Sequence, residues 1–114
     1  MRIFVCEDDP DMQFLLSYIL KKAGHLPVII PDKKSLFNRS SPEADLILMD
    51  LRFGDDYGLD VLKSWTYECP VILITGVQNP DLQGQGNALG IIDIIRKPFN
   101  PVELITYFKS LSLK

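Results

Sequence analysis

Leu46-Ile47-Leu48-Met49-Asp50 sets four apolar side chains in a row and ends them on a carboxylate. A short, continuous apolar run of this kind reads as a strand buried on both faces of a parallel sheet. Three other runs share the design. Arg2-Ile3-Phe4-Val5-Cys6 leads into Glu7-Asp8-Asp9, Val71-Ile72-Leu73-Ile74 leads into Thr75, and Ile91-Ile92-Asp93-Ile94-Ile95-Arg96 leads into Lys97-Pro98. In an open α/β sheet, ligands bind just outside the carboxyl ends of the strands. One edge of the sheet is therefore expected to gather several carboxylates, a hydroxyl and an ammonium.

Helical patterns alternate with these strands. Met12, Leu15, Leu16, Ile19, Leu20 and Ala23 recur at helical spacing. Asp9 is suited to cap that helix, with Pro10 at its first position and Gly24 in its C-terminal turn. Leu26-Pro27-Val28-Ile29-Ile30 reads as a second strand, and Lys33–Arg39 as a short helix ended by Ser40-Ser41-Pro42. Leu59, Leu62 and Trp65 mark a third helix closed by Cys69-Pro70, with Trp65 packing at its end. Val77–Gly90 is the weakest stretch, because Asn79-Pro80 and its glycines oppose a firm helix. A last helix starts at Pro101 and carries Val102, Leu104, Ile105, Phe108 and Leu111. The sum is five βα units in one α/β domain spanning 1–114.

The totals narrow the function. A chain of 114 residues, 46% hydrophobic and 24% charged, can bury one core without disulfides or a structural metal. A net charge of −3 and a pI near 5.0 present no basic surface for nucleic acid. Cys6 and Cys69 form neither a CxxC nor a metal spacing and are expected to be reduced thiols. With no secretory signal and no apolar stretch of membrane-span length, a cytoplasmic protein with no membrane contact is expected. Gly84-Gln85-Gly86 with Gly90 has the wrong spacing for a dinucleotide fingerprint and does not follow a strand directly. His25, just after a helix-ending glycine, is expected in an exposed loop.

Taken singly, each polar residue has an ordinary reading. Asp50 could end a turn, Glu7-Asp8-Asp9 could complement a helix dipole, Thr75 could be a strand-end hydroxyl and Lys97 a solvated charge. Taken together and in order, they make the chain resemble the receiver domain of bacterial two-component response regulators, the chemotaxis regulators among them. The acidic pair Glu7-Asp8, then Asp50, Thr75 and Lys97-Pro98 carry the resemblance, which covers the whole chain. Asp9-Pro10-Asp11, Gly58, Ala88-Leu89-Gly90, Asp93 and Phe99 add to it.

The resemblance implies a doubly wound (βα)5, flavodoxin-like sandwich with five parallel strands in the order 2-1-3-4-5. It implies a phosphorylation-dependent switch rather than an enzyme in the usual sense. Asp50 would accept a phosphoryl group from a sensor histidine kinase or a histidine phosphotransfer protein. Asp8 and Asp50 would be carboxylate ligands of Mg2+, Glu7 would act through a water, and the Arg52 carbonyl would complete the protein ligands. Thr75 and Lys97 would meet phosphoryl oxygens, while Arg52 and Val77 would flank the site. A second copy of the chain or an output domain is a further candidate partner. The chemistry is consistent on its own terms. A carboxylate can carry a phosphoryl group as an acyl phosphate, and Mg2+ takes hard oxygen ligands.

Four departures bear on the output step. Ile94 stands where the family usually has Tyr or Phe. The interval from Asp50 to Thr75 is 25 residues, shorter than is common, so the third helix is expected to be trimmed. Gly54 replaces a usual proline and suggests a more mobile loop, and the segment before Gly90 is rich in glycine. Two rival readings remain at this stage. One is a pseudo-receiver that binds proteins without phosphorylation. The other is a Mg2+-dependent phosphohydrolase, against which Arg52 stands in the place of the usual second acid. Phe14 and Tyr18 are a separate expectation: four apart on the outward side of the first helix, they form a candidate partner contact.

Overall fold

In the computed structural model, the run quoted first, Leu46–Asp50, is β3 at the centre of a five-stranded parallel sheet. The structure describes residues 1–39, 43–76 and 89–111. The expected loop at Ser40-Ser41-Pro42, Val77 and the glycines at 84 and 86 lie outside them. The other strands of this sheet are β1 (Arg2–Cys6), β2 (Leu26–Ile30), β6 (Val71–Thr75) and β7 (Ile91–Arg96), in the order β2-β1-β3-β6-β7. Apart from the intervening hairpin strands, this is the expected 2-1-3-4-5 order. All its pairings are parallel, and Val5 lies level with Leu48 as Asp50 does with Ile74.

Alternation along the strands builds two core layers. Ile3, Val5, Leu46, Leu48, Ile72 and Ile74 face one side, where α1 (Pro10–Lys22) adds Leu16, Ile19 and Leu20 and α4 (Pro101–Ser110) adds Leu104 and Phe108. Phe4, Cys6, Ile47, Met49, Val71 and Leu73 face the other, covered by Leu36 of α2 (Lys33–Phe37) and by Leu59, Val61 and Leu62 of α3 (Gly58–Ser64). Both faces are therefore apolar, which is why the strands read as unbroken runs.

Local signals fix the helix starts. The Asp9 carboxylate accepts from the Asp11 amide and Pro10 opens α1. The Asn100 side chain accepts from the Val102 and Glu103 amides and Pro101 opens α4. Helix α3 is short, as expected, and Trp65 lies just past it, stacked on Tyr67 at 5.6 Å.

Three details differ from the sequence reading. The loop after Asp50, read without strands, forms an antiparallel hairpin of β4 (Arg52–Phe53) and β5 (Asp56–Tyr57), with Gly54 turning it at φ +65°. Phe53 is buried and anchors that hairpin in the core. His25 is half-buried rather than exposed: its Nε2–H donates to the Phe108 carbonyl at 2.7 Å, which leaves Nδ1 to accept from the Met1 amine at 3.0 Å. Strand β7 contains a bulge, since Val71 pairs with Ile91 but Ile72 pairs with Asp93. Ile92 is the extra residue and is exposed.

Candidate functional site at the carboxyl edge of the sheet

Strands β1, β3, β6 and β7 all end at one edge, so Glu7, Asp50, Thr75 and Lys97 arrive there together. Glu7, Asp50 and Thr75 are the buried polar residues among those described, at 2%, 8% and 2% exposure. Buried carboxylates require partners. The Lys97 ammonium donates to Asp50 Oδ2 at 2.7 Å and to Glu7 Oε1 at 3.4 Å. The Arg52 amide donates to Asp50 Oδ1 at 3.0 Å, so both oxygens of that carboxylate are engaged. Glu7 Oε2 accepts from the Asp8 and Asp9 amides at 2.9 and 3.3 Å. The Lys97 amide donates to the Thr75 carbonyl at 2.8 Å and ties the ends of β6 and β7.

One carboxylate oxygen from each of Glu7, Asp8 and Asp50 lies within 4.8 Å of the others. Two full charges at that separation repel by about 3 kcal/mol at an effective dielectric of about 20. The titration of the neighbours reflects this crowding. Burial pushes the Glu7 carboxyl up to about 7, and the Asp50 carboxylate adds to the rise, while Lys97 and the Asp9 amide oppose it. Burial acts against the Lys97 charge, but the hydrogen bond and charge of Asp50, with the charge of Glu7, outweigh it and raise its pKa. A trio of hard oxygens with a surplus of negative charge suits Mg2+. Asp8 is the exposed member of the trio and faces solvent.

Of the residues expected from sequence, Glu7, Asp8, Asp50 and Lys97 form this cluster. Thr75 is buried at the end of β6 beside them, and Arg52 contributes its amide. Asp9 is the cap of α1. Two further residues support the cluster: Gln13 carried no signal in the sequence, whereas Gly58 stood there only as part of the family resemblance. Gln13 donates from Nε2 to the Glu7 carbonyl at 2.8 Å and steadies the acidic turn. Gly58 donates its amide to the Leu51 carbonyl at 2.6 Å, directly beneath Asp50.

Comparison with known proteins agrees with this geometry. The model of the response regulator receiver domain matches residues 3–109. The phosphate regulon transcriptional regulatory protein PhoB of Escherichia coli K12 is 31% identical over 116 aligned positions, covering 96% of this chain and 51% of PhoB. The transcriptional regulatory protein CpxR of the same organism is 28% identical, covering 96% and 48%. The chain thus spans about half the length of the curated relatives it matches. Among solved structures, the chemotaxis protein CheY4 of Vibrio cholerae superposes with a TM-score of 0.79 at 20% identity, covering 95% of each chain. The BeF3-activated receiver domain of Klebsiella pneumoniae RstA gives 0.75 at 23% identity, covering 96% of each. With the fold, the acidic edge and a family match over nearly all its length in agreement, the chain belongs to the response regulator receiver domain family of two-component systems.

Proposed function

We propose that Asp50 is the phosphoryl acceptor of a two-component signalling switch. The observation that carries this reading is the Asp50 carboxylate at the end of β3, with the Lys97 ammonium at 2.7 Å and the Glu7 and Asp8 oxygens within 4.8 Å. The donor is the phosphohistidine of a sensor kinase or phosphotransfer protein. An Asp50 carboxylate oxygen attacks phosphorus, the bond from phosphorus to the ring nitrogen breaks, and its electron pair leaves with that nitrogen. Asp8, Asp50 and the Arg52 carbonyl would hold Mg2+, with Glu7 acting through a water. When bound, the ion supplies neutralising charge at the phosphoryl oxygens. Lys97 neutralises Asp50 before transfer and a phosphoryl oxygen after it, and the Thr75 hydroxyl donates to another. Slow hydrolysis of the acyl phosphate resets the switch.

The described fold supports reading residues 1–114 as one receiver domain, and the net charge of −3 argues against a nucleic-acid contact by this domain. No helix among the described residues is long and apolar enough to cross a membrane; the proposed site of action is the cytoplasm. The test is incubation with acetyl phosphate and Mg2+, followed by intact-mass measurement. One added, acid-labile phosphoryl group is expected on the parent and none on Asp50→Asn. Equal labelling of the two chains refutes the assignment, and unlabelled parent favours a phosphorylation-independent binding module.

A further inference from the structure

Gly58 lies where a side chain has no room. A Cβ added there would sit 2.5 Å from the Asp50 carbonyl oxygen, 3.1 Å from the Leu51 Cα and 3.1 Å from the Met49 Cγ. Two of these neighbours are backbone atoms of the strand end that carries the acceptor, so the clash has no flexible outlet. The glycine serves close approach here, not an unusual φ, since Gly58 is not among the positive-φ residues. Its amide reaches the Leu51 carbonyl at 2.6 Å, and α3 begins at this residue with no side-chain cap at Tyr57.

These contacts close a small loop. Residues 51 to 58 leave Asp50, turn at Gly54 and return through the pairs Phe53–Asp56 and Arg52–Tyr57. The first strand of the loop holds the Asp50 carboxylate through the Arg52 amide at 3.0 Å. The return end passes the Asp50 carbonyl at Gly58 so closely that an added Cβ would lie 2.5 Å from its oxygen. We propose that Gly58 is a positioning residue: its bare Cα sets how closely the start of α3 approaches β3, and thereby aims both the Asp50 carboxylate and the Arg52 carbonyl. The proposal deepens the acceptor reading of Asp50 and rests on it.

Gly58→Ala must open the 2.5 Å approach by about 1 Å to reach ordinary contact. A misplacement of that size at a reacting group lowers a rate by about 100-fold. Gly54→Ala is the control. Its Cβ would meet nothing within 4 Å, but φ +65° strains an alanine, so it weakens the same hairpin without crowding Asp50. Both variants are brought to conditions where urea curves show them folded. Labelling by acetyl phosphate is then resolved into a saturating rate and a donor saturation constant, and Mg2+ affinity is titrated with the metal alone.

Gly58→Ala is expected to lose about 10- to 100-fold in the saturating rate and to bind Mg2+ more weakly, with Gly54→Ala within about twofold of the parent in both. Equal losses in the two variants, or a folded Gly58→Ala with parental rate and affinity, overturn the proposal. A second measurement uses the parent alone, so it stands even if Gly58→Ala does not fold. Amide hydrogen exchange with Mg2+ and beryllofluoride should slow the Arg52 and Gly58 amides together; protection of Arg52 with Gly58 unchanged overturns it. A parent that takes no label at Asp50 refutes the acceptor reading instead, while the Mg2+ titration still decides the role of Gly58.

Discussion

Glu7→Gln should make the metal-free protein more stable at neutral pH and above, although it weakens the metal site. In the structure Glu7 is 2% exposed and shares its pocket with two other carboxylates. Its carboxyl is raised from the usual 4.5 to about 7, first by burial and then by Asp50. A group held above its unfolded value adds stability that is fully present below pH 4.5 and is lost as pH rises through 7. The full rise corresponds to a ceiling of about 3 kcal/mol. Solvent reaching the site screens the charge, so about 1–2 kcal/mol is expected in practice. Glutamine keeps an oxygen for the Asp8 and Asp9 amides and carries no charge. Urea unfolding from pH 5 to 8, without divalent metal, reads the effect. At pH 5 the parent and Glu7→Gln should nearly coincide. At pH 8 the variant's midpoint should be higher by roughly 1 M urea, given a slope of about 1–2 kcal/mol per M. Added Mg2+ should reverse the order, because it stabilises the parent by mass action and the variant less. A stability difference that does not change with pH, or a variant less stable at pH 8, refutes the reasoning.

Asp8→Ala should weaken Mg2+ binding at least about tenfold more than Asp9→Ala, because Asp8 belongs to the oxygen trio while Asp9 caps α1. Metal titration by NMR shifts checks this, and a larger effect from Asp9→Ala would move the assignment by one residue. Phe14 and Tyr18, 78% and 48% exposed on α1, should matter to a partner and not to a small donor. Phe14→Ser with Tyr18→Ser is expected to slow transfer from a phosphohistidine protein and leave acetyl phosphate labelling intact; an unchanged partner rate rejects that contact. Phe108→Ala should cost about 3–5 kcal/mol in urea unfolding, since the ring is fully buried and packs edge-on to Tyr107 at 5.2 Å. A loss under about 1 kcal/mol would mean that the α1–α4 side of the core repacks around the gap.

The chemistry of the edge was legible in the chain because each part is local. An unbroken apolar run marks a strand buried on both faces, and the next polar residue marks where it emerges. Asp9-Pro10 and Pro101 locate helix starts within a residue or two, since a cap and a preset φ act on the backbone beside them. Order along the chain was then enough to bring Glu7, Asp8, Asp50, Thr75 and Lys97 to one edge, because parallel βα units all point the same way. The trimmed α3 was also readable from the short interval between Asp50 and Thr75.

Other features depend on partners far away in sequence. Ile91-Ile92-Asp93-Ile94-Ile95 looks like a plain strand, yet the pairing of Ile72 with Asp93 inserts a bulge and shifts the alternation. As a result Ile91 and Ile94 share one core layer and Ile95 joins the other. Asp93 is left exposed to accept from the Tyr107 hydroxyl at 2.6 Å, which also raises the Tyr107 pKa after the effect of burial. His25 read as a loop residue because its partners, Met1 and the Phe108 carbonyl, are 24 and 83 positions away. The sequence by itself determined which groups stand at the carboxyl edge of the sheet, because strand ends and caps are written in neighbouring residues. Only the tertiary structure decided how those groups are held: the raised carboxyl of Glu7, the Lys97 ammonium on Asp50 and the tight approach at Gly58 are set by distances between separate strands and helices, which residue order does not measure.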